Sequence, residues 1–167
     1  FPTRNSYPTQ RPLMRQIYLD YNATTPIAPS VVEAMLPFLS EHHGNPSSSH
    51  SLGRACQEAV AAAREQVATL LGCDDVEVIF TSCGTESNNL ALKGILMNER
   101  PAAGGHLVTS AIEHPAITEP ANFLESLGYD VTTVPCTSAG VVDPNDIAQA
   151  IRPGTRLVSI MHANNET

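Results

Sequence analysis

Short apolar runs alternate with amphipathic stretches along most of this chain of 167 residues. The apolar runs predict strands at 17–19, 76–80, 106–110, 129–134 and 156–161. Apolar residues at helical spacing predict helices at 29–39, 52–71, 86–99, 116–127 and 144–151. Strands that alternate with helices in this way are typical of right-handed crossovers and a parallel sheet. We therefore expect an α/β fold with a mostly parallel sheet and helices on both faces.

The helix predicted at 52–71 is the longest. Small or apolar residues recur on one side of it, at Ala55, Ala59, Ala62, Ala63, Val67 and Leu70. Gly72 follows directly and is suited to end the helix, because glycine adopts the left-handed conformation without steric cost. The preceding segment, 42–51, is rich in Gly, Asn, Pro and Ser and predicts a loop.

Composition and charge exclude several classes of protein. Hydrophobic residues make up 42% of the chain and charged residues 16%, as in ordinary globular proteins. The net charge of -8, with no basic run, argues against nucleic-acid binding. No apolar stretch approaches the roughly 20 residues of a membrane span. The 4 cysteines form no paired motif, which indicates an intracellular location, in the cytoplasm or alternatively in the mitochondrion.

Two polar segments have a composition that allows special roles. Residues 1–16 contain prolines and arginines but no acid, which predicts a disordered leader, with the end of a transit peptide as the alternative. The histidines His42, His43 and His50 lie in a polar loop without a cysteine or acid at ligand spacing, so we expect no metal site.

The turn at 80–89 carries the strongest chemical signal. It follows the apolar run 76–80 and opens a helix through Gly84 and Thr85. The first N–H groups of a helix lack helical partners and favour an anion, and Thr85 adds a hydroxyl. Polar residues also follow two later apolar runs, at 112–114 and at 164–166. Since open α/β sheets bind ligands at the carboxyl ends of their strands, the pattern predicts a phosphate-bearing cofactor there, with a ligand-free helix cap as the alternative.

Five blocks of sequence carry a family resemblance. They are 18–26 (YLDYNATTP), 44–48 with 50–54 (GNPSS and HSLGR), 81–89 (TSCGTESNN), 113–114 (EH) and 161–166 (MHANNE). In this order they resemble the cysteine desulfurase family, which includes the selenocysteine lyases. The resemblance implies the fold of the aspartate aminotransferases, with 17–50 as the N-terminal segment and 51–167 as the first, incomplete part of the large domain.

The resemblance also implies a pyridoxal 5'-phosphate (PLP) site. Gly84 and Thr85 resemble the residues that bind the cofactor phosphate. His114 resembles the catalytic histidine that stacks on the pyridine ring and moves protons, and Asn165 resembles the asparagine that hydrogen-bonds the 3-hydroxyl. Cys83 stands where the family usually has glycine, so its side chain is expected to crowd the phosphate turn.

The function implied is removal of sulfur from L-cysteine, giving L-alanine and an enzyme-bound persulfide. A sulfur-acceptor protein, in iron–sulfur cluster or thio-cofactor supply, and a homodimer at full length are implied as partners. A selenocysteine lyase and a non-catalytic truncated product are the alternatives. A dinucleotide-binding domain is excluded because no GxGxxG follows the first strand.

The chain matches about two-fifths of a family member, and this limits what it can catalyse alone. Its one lysine, Lys93, lies eight residues after Thr85 on the predicted helix, about 12 Å along the axis. We expect it to point away from the cofactor aldehyde. The lysine that holds PLP as a Schiff base and the nucleophilic cysteine are expected beyond residue 167, so the fragment by itself is predicted to be inactive.

Overall fold

The computed structural model describes residues 17–98 and 105–166, which form two compact units. The predicted leader at 1–16 lies outside the described residues. In the first unit, which ends at His42, a turn at Asp20 is followed by helix α1, Pro29–Ser40. Pro29 suits the first turn of α1, because a helix has no partner for that N–H group.

The second unit begins at His43 and contains the sheet. Its helices are α2 (Ser51–Leu71), α3 (Gly84–Leu96), α4 (Pro115–Ser126) and α5 (Pro144–Ala150). A 3₁₀-helix at Asp75–Glu77 lies between α2 and α3. The strands are β1 (His106–Ser110), β2 (Asp130–Val134) and β3 (Thr155–Ser159), in the order β2-β1-β3 with both pairings parallel. The expected α/β fold with a parallel sheet is confirmed.

The core of the second unit lies between the sheet and the helices α3 and α4. Leu107 of β1 packs there with leucines of both helices and with Tyr129; the other buried members are Leu92, Leu96, Ile117, Ala121 and Leu124. All five residues of β1 are buried, so this central strand is covered on both sides. The connection from β1 to β2 contains α4, and the connection from β2 to β3 contains α5 and runs in the opposite direction along the sheet. Because parallel strands are joined by right-handed crossovers, α4 and α5 belong to different faces of the sheet.

A buried histidine joins all three strands. His106 is 1% exposed, and its ring nitrogens lie 2.8 Å from Thr155 Oγ1 on β3 and 2.9 Å from Thr132 Oγ1 on β2. Burial, followed by the nearby Arg152, lowers the pKa of His106, while Asp130 acts in the opposite direction. A neutral imidazole therefore bridges the sheet at the start of β1.

Two predicted strands are wrong. Residues 17–19 form no strand, and their apolar side chains Ile17 and Leu19 are exposed. The run 76–80 begins in the 3₁₀-helix and continues as irregular chain, with only Val78 buried. A strand needs a neighbour for its hydrogen bonds, and no described strand pairs with either segment. At the second, Asp74 and Glu77 cap the 3₁₀ turn instead.

The helix boundaries agree with the predicted ones within three residues, although residue 99 of the helix predicted at 86–99 lies outside the described residues. The apolar face predicted for α2 is largely exposed. Gly72 ends α2 in the left-handed conformation with φ of 70°, as expected. The buried residues of α2 are Gly53, Cys56 and Ala68, whereas Leu70 of the predicted face is 84% exposed. Apolar periodicity locates a helix, but alanine-rich turns leave its burial to the neighbours that tertiary structure supplies.

The second of the five sequence blocks, at 44–48 and 50–54, has a steric explanation at the start of α2. His50 caps the helix by accepting a hydrogen bond from the Gly53 amide at 3.2 Å. A Cβ on Gly53 would lie 2.4 Å from Ser48 O, and one on Gly44 would lie 2.3 Å from Leu52 O. The loop and helix therefore meet too closely for any side chain at these glycines.

No helix among residues 17–98 and 105–166 is long and apolar enough to cross a membrane.

Candidate functional site

The first turn of α3 presents an open helix N-terminus. Gly84 is the first residue of the helix, and a Cβ there would have no atom within 4 Å. Thr85 is exposed beside it. Glu86 turns back, so that its carboxylate accepts hydrogen bonds from the Ser82 amide and hydroxyl, each at 2.6 Å. These bonds, led by the hydroxyl, lower the pKa of Glu86.

Cys83 precedes the helix in an extended conformation, with φ of -166°, and its side chain is exposed. The sulfur completes no capping hydrogen bond. The Glu86 amide, then the Ser82 hydroxyl and the Thr85 amide, nevertheless lower the pKa of Cys83. The thiol therefore has a lowered pKa at the start of the helix that the sequence assigns to a phosphate.

His114 lies at the N-terminus of α4, where its ring has a fixed hydrogen bond. Nδ1 accepts from the Ala116 amide at 3.0 Å and caps the helix. Because Nδ1 is used as an acceptor, the proton of the neutral ring is on Nε2. The side chain is exposed, so Nε2 can meet a ligand. The capping role and a ligand-binding role are therefore compatible.

A carboxylate that the sequence did not single out as a site residue links the ends of two strands. Glu113 Oε1 accepts hydrogen bonds from Ser110 Oγ at the end of β1 and from the Met161 amide after β3, both at 2.7 Å. Asn164 Nδ2 donates to Ile112 O at 2.8 Å, which adds a second link between the same loops. The sequence placed Glu113 in a motif, but only the pairing of β1 with β3 supplies its partners.

Two cavities meet at His114. One, of about 410 Å³, is lined by Asn88 of α3, by Glu113 and by the loop after β3 from Ser159 to Ala163. The other, of about 460 Å³, is a groove between α3 and α4 that includes Thr85 and Lys93. The fold therefore brings the first turn of α3, the start of α4 and the end of β3 to one edge of the sheet. Asn165 follows on this last loop but lines neither cavity.

The lysine of the chain lies in the groove, and it contacts an aromatic ring that lines the same groove. Lys93 is half-buried, and its Nζ lies 4.8 Å from the ring centroid of Phe123 on α4. This cation–π contact, together with helix packing, explains its position without a cofactor. Among the described residues no cluster of His, Cys, Asp and Glu could hold a metal ion.

A family model described as aminotransferase class-V matches residues 17–167. The chain belongs to the aminotransferase class-V family. The match agrees with the geometry of the sheet edge, where the first turns of α3 and α4 and the end of β3 converge. It also confirms the family that the five sequence blocks indicated.

Relatives within the family include proteins named as cysteine desulfurases. The cysteine desulfurase IscS of Dictyoglomus turgidum is 51% identical over 154 residues, which are 92% of this chain and 39% of that protein. A cysteine desulfurase of a Nostoc species is 46% identical over 154 residues, 92% of this chain and 38% of its own. A solved structure described as SspA in complex with cysteine has a TM-score of 0.84 at 42% identity, covering 89% of this chain and 43% of that one. The chain thus spans about two-fifths of the length of these aminotransferase class-V relatives.

Proposed function

We propose that the protein carrying this chain is a PLP-dependent cysteine desulfurase, and that residues 17–167 form the part that holds the cofactor phosphate and one side of its ring. The observation that carries the proposal is the meeting of the α3 N-terminus with His114 and the end of β3 at one sheet edge, in a chain 51% identical to a named cysteine desulfurase. The family is generally PLP-dependent, which supports the cofactor.

The residues present at this edge fit such a cofactor. The start of α3 is open around Gly84 and offers the first amides of the helix together with the exposed Thr85 hydroxyl, a donor set suited to a phosphate dianion. His114 offers a flat exposed ring whose orientation is fixed through Nδ1. Asn165 lies on the loop after β3 and carries the amide proposed for the 3-hydroxyl.

Each of these residues would have its own role in the reaction. When bound, PLP supplies an electron sink for the carbon next to the substrate amino group. Gly84 and Thr85 hold the phosphate, and His114 restrains the ring and can exchange a proton at Nε2. In the overall reaction the carbon–sulfur bond of L-cysteine breaks and the sulfur joins an enzyme thiol as a persulfide. The proton released from that thiol balances the formation of L-alanine.

The remaining catalytic groups belong to the proposal for the whole protein. A lysine for the cofactor and a nucleophilic cysteine are required, and Lys93 is committed to Phe123. The 167-residue chain alone is therefore expected to release no alanine. A homodimer and a sulfur-acceptor protein, in iron–sulfur cluster or thio-cofactor supply, are proposed for the whole protein, in the cytoplasm or mitochondrion.

The first experiment is to isolate the native protein from its source and measure its mass, its bound PLP and its products from L-cysteine. We expect a mass more than twice the 17.8 kDa of this chain, visible absorbance from bound cofactor, and one alanine for each sulfur transferred. A native mass near 17.8 kDa, or a larger protein without bound PLP, would refute the proposal.

Selenocysteine lyase is the second enzyme to test. The named relatives favour cysteine, since those compared above carry the name cysteine desulfurase. Measuring kcat/KM for L-cysteine and L-selenocysteine with the same native protein separates the two. Turnover of selenocysteine with no persulfide from cysteine would replace the desulfurase assignment by the lyase.

A further inference from the structure

The two loops that carry His114 and Asn165 are linked by side chains other than these two. Glu113 lies immediately before His114, and its Oε1 accepts the Met161 amide hydrogen bond at 2.7 Å. Asn164 lies immediately before Asn165, and its Nδ2 donates to the carbonyl of the first loop at 2.8 Å. Each link joins residues about 50 positions apart in the chain through a side chain adjacent to a predicted cofactor contact.

We propose that Glu113 is a positioning residue: its carboxylate, assisted by Asn164, fixes the loop after β1 relative to the loop after β3, so that His114 and Asn165 meet the cofactor together. This inference rests on the proposed PLP site. Glu113 itself need not touch the cofactor.

The geometry gives a physical reason for the role. Parallel pairing of β1 with β3 runs from His106 to Thr109 and stops there, so the sheet ladder does not hold the loops that follow. Glu113 is half-buried, and its Oε1 accepts one hydrogen bond from each strand end, from the Ser110 hydroxyl and from the Met161 amide. Without it both donors lose their partner, and the loops gain freedom that binding would have to remove.

Substitutions can separate the hydrogen bonds that Glu113 accepts from its negative charge. Glu113→Gln retains a side-chain oxygen that can accept both hydrogen bonds, so it is the rescue variant. Glu113→Ala removes the acceptor, and Glu113→Asp withdraws it by one methylene. Asn164→Asp removes the donor to the first loop but keeps the oxygen that accepts the Glu166 amide at 2.6 Å. Glu125→Gln, on the exposed side of α4, is the matched control.

The loops themselves are tested by hydrogen–deuterium exchange of the native-length protein without cofactor. We expect Glu113→Ala to speed exchange in peptides covering 111–114 and 160–166 by about tenfold, with α2 unchanged. Glu113→Gln and Glu125→Gln should match the wild type, and Asn164→Asp should loosen the same two peptides. Unchanged exchange in both Glu113→Ala and Glu113→Asp would overturn the proposal, as would equal loosening by Glu113→Gln.

The consequence for the cofactor is tested by PLP titration, with affinity and visible circular dichroism as readouts. Glu113→Ala is expected to raise the Kd for PLP about tenfold and to change the dichroism, whereas Glu113→Gln should stay close to the wild type in both. If wild-type protein binds no PLP, the proposed function fails, and the positioning role toward a cofactor fails with it. If wild type binds PLP and the loosened Glu113→Ala binds equally well with the same dichroism, only the positioning role is overturned.

Discussion

The buried His106 should make this fold sensitive to acid. Its ring lies between hydroxyls of Thr155 and Thr132 on the two outer strands and is 1% exposed. Burial lowers its pKa in the folded protein, and Arg152 lowers it further against the opposing effect of Asp130. Because Arg152 and Asp130 are themselves paired at 2.8 Å, their opposed charges partly cancel and burial dominates.

The direction of the effect follows from linkage. The unfolded chain takes up a proton near the ordinary histidine pKa of about 6.5, whereas folded His106 resists protonation. Its contribution to stability is therefore complete above about pH 6.5 and is lost as the pH falls from there toward the folded pKa. Within that window the free energy of unfolding should fall by up to about 1.4 kcal/mol per pH unit, and below the folded pKa the loss levels off.

The assay is urea unfolding of wild type and His106→Gln at steps between about pH 8 and pH 5. Glutamine does not titrate and can still donate and accept hydrogen bonds, so the change removes the proton uptake with little loss of polarity. All other residues are the same in both proteins, so their contributions cancel in the difference. The stability advantage of wild type over His106→Gln should shrink steadily below about pH 6.5.

A matched control is His162→Gln, at an exposed position after β3, which removes a histidine without changing the buried bridge. If the difference between wild type and His106→Gln is the same at all pH values, burial does not penalise the charged ring and the argument is wrong. The same conclusion would follow if His162→Gln altered the pH dependence as much as His106→Gln.

Three further predictions address the site and the packing. Cys83 should react with iodoacetamide faster than Cys136 at neutral pH, because the pKa of Cys83 is lowered. Bound PLP should protect Cys83 from this reaction, and the Cys83→Gly variant should bind PLP more tightly in a titration. Equal labelling of both thiols with and without PLP would contradict this. Gly53→Ala should lower the Tm, because its Cβ would lie 2.4 Å from a carbonyl oxygen. In Gly94→Ala on α3 the new Cβ would have no atom within 4 Å, so the free energy of unfolding should rise by about 0.5–1 kcal/mol. The reverse order of the two variants in thermal melts would refute the steric account. Thr109→Val should stabilise the protein by about 1 kcal/mol in urea unfolding, because the buried Thr109 hydroxyl has no hydrogen-bond partner among the described residues, and a loss of stability would reveal an unrecognised partner.

The helices and the paired strands could be predicted from sequence because their signals are local. Gly72 ends α2 and β1 spans 106–110 as expected, and α4 begins at Pro115, one residue before its predicted start. The runs 17–19 and 76–80 share the same apolar character but have no strand beside them. An apolar segment tends to be buried, but it forms a strand only where a neighbouring strand pairs with it.

The candidate site divides in a similar way. Sequence alone identified the turn at Gly84 and Thr85, the histidine before α4 and the asparagines after β3, because each motif follows an apolar run and matches a family block. The roles of Gly84, Thr85, His114 and Asn165 toward PLP stay predictions. The position of Glu113 between two strand ends could not be foreseen, since its donors lie 3 and 48 residues away.

The sequence by itself determined the family, the order of helices and strands, and the residue types at the strand ends. Tertiary structure decided that His106 bridges three strands, that α2 exposes most of its alanines, and that Cys83 is exposed before the first turn of α3. The reason is physical. Propensities and capping act between neighbours in the chain, whereas burial, shared hydrogen bonds and shifted pKa values depend on groups that only folding brings within contact distance.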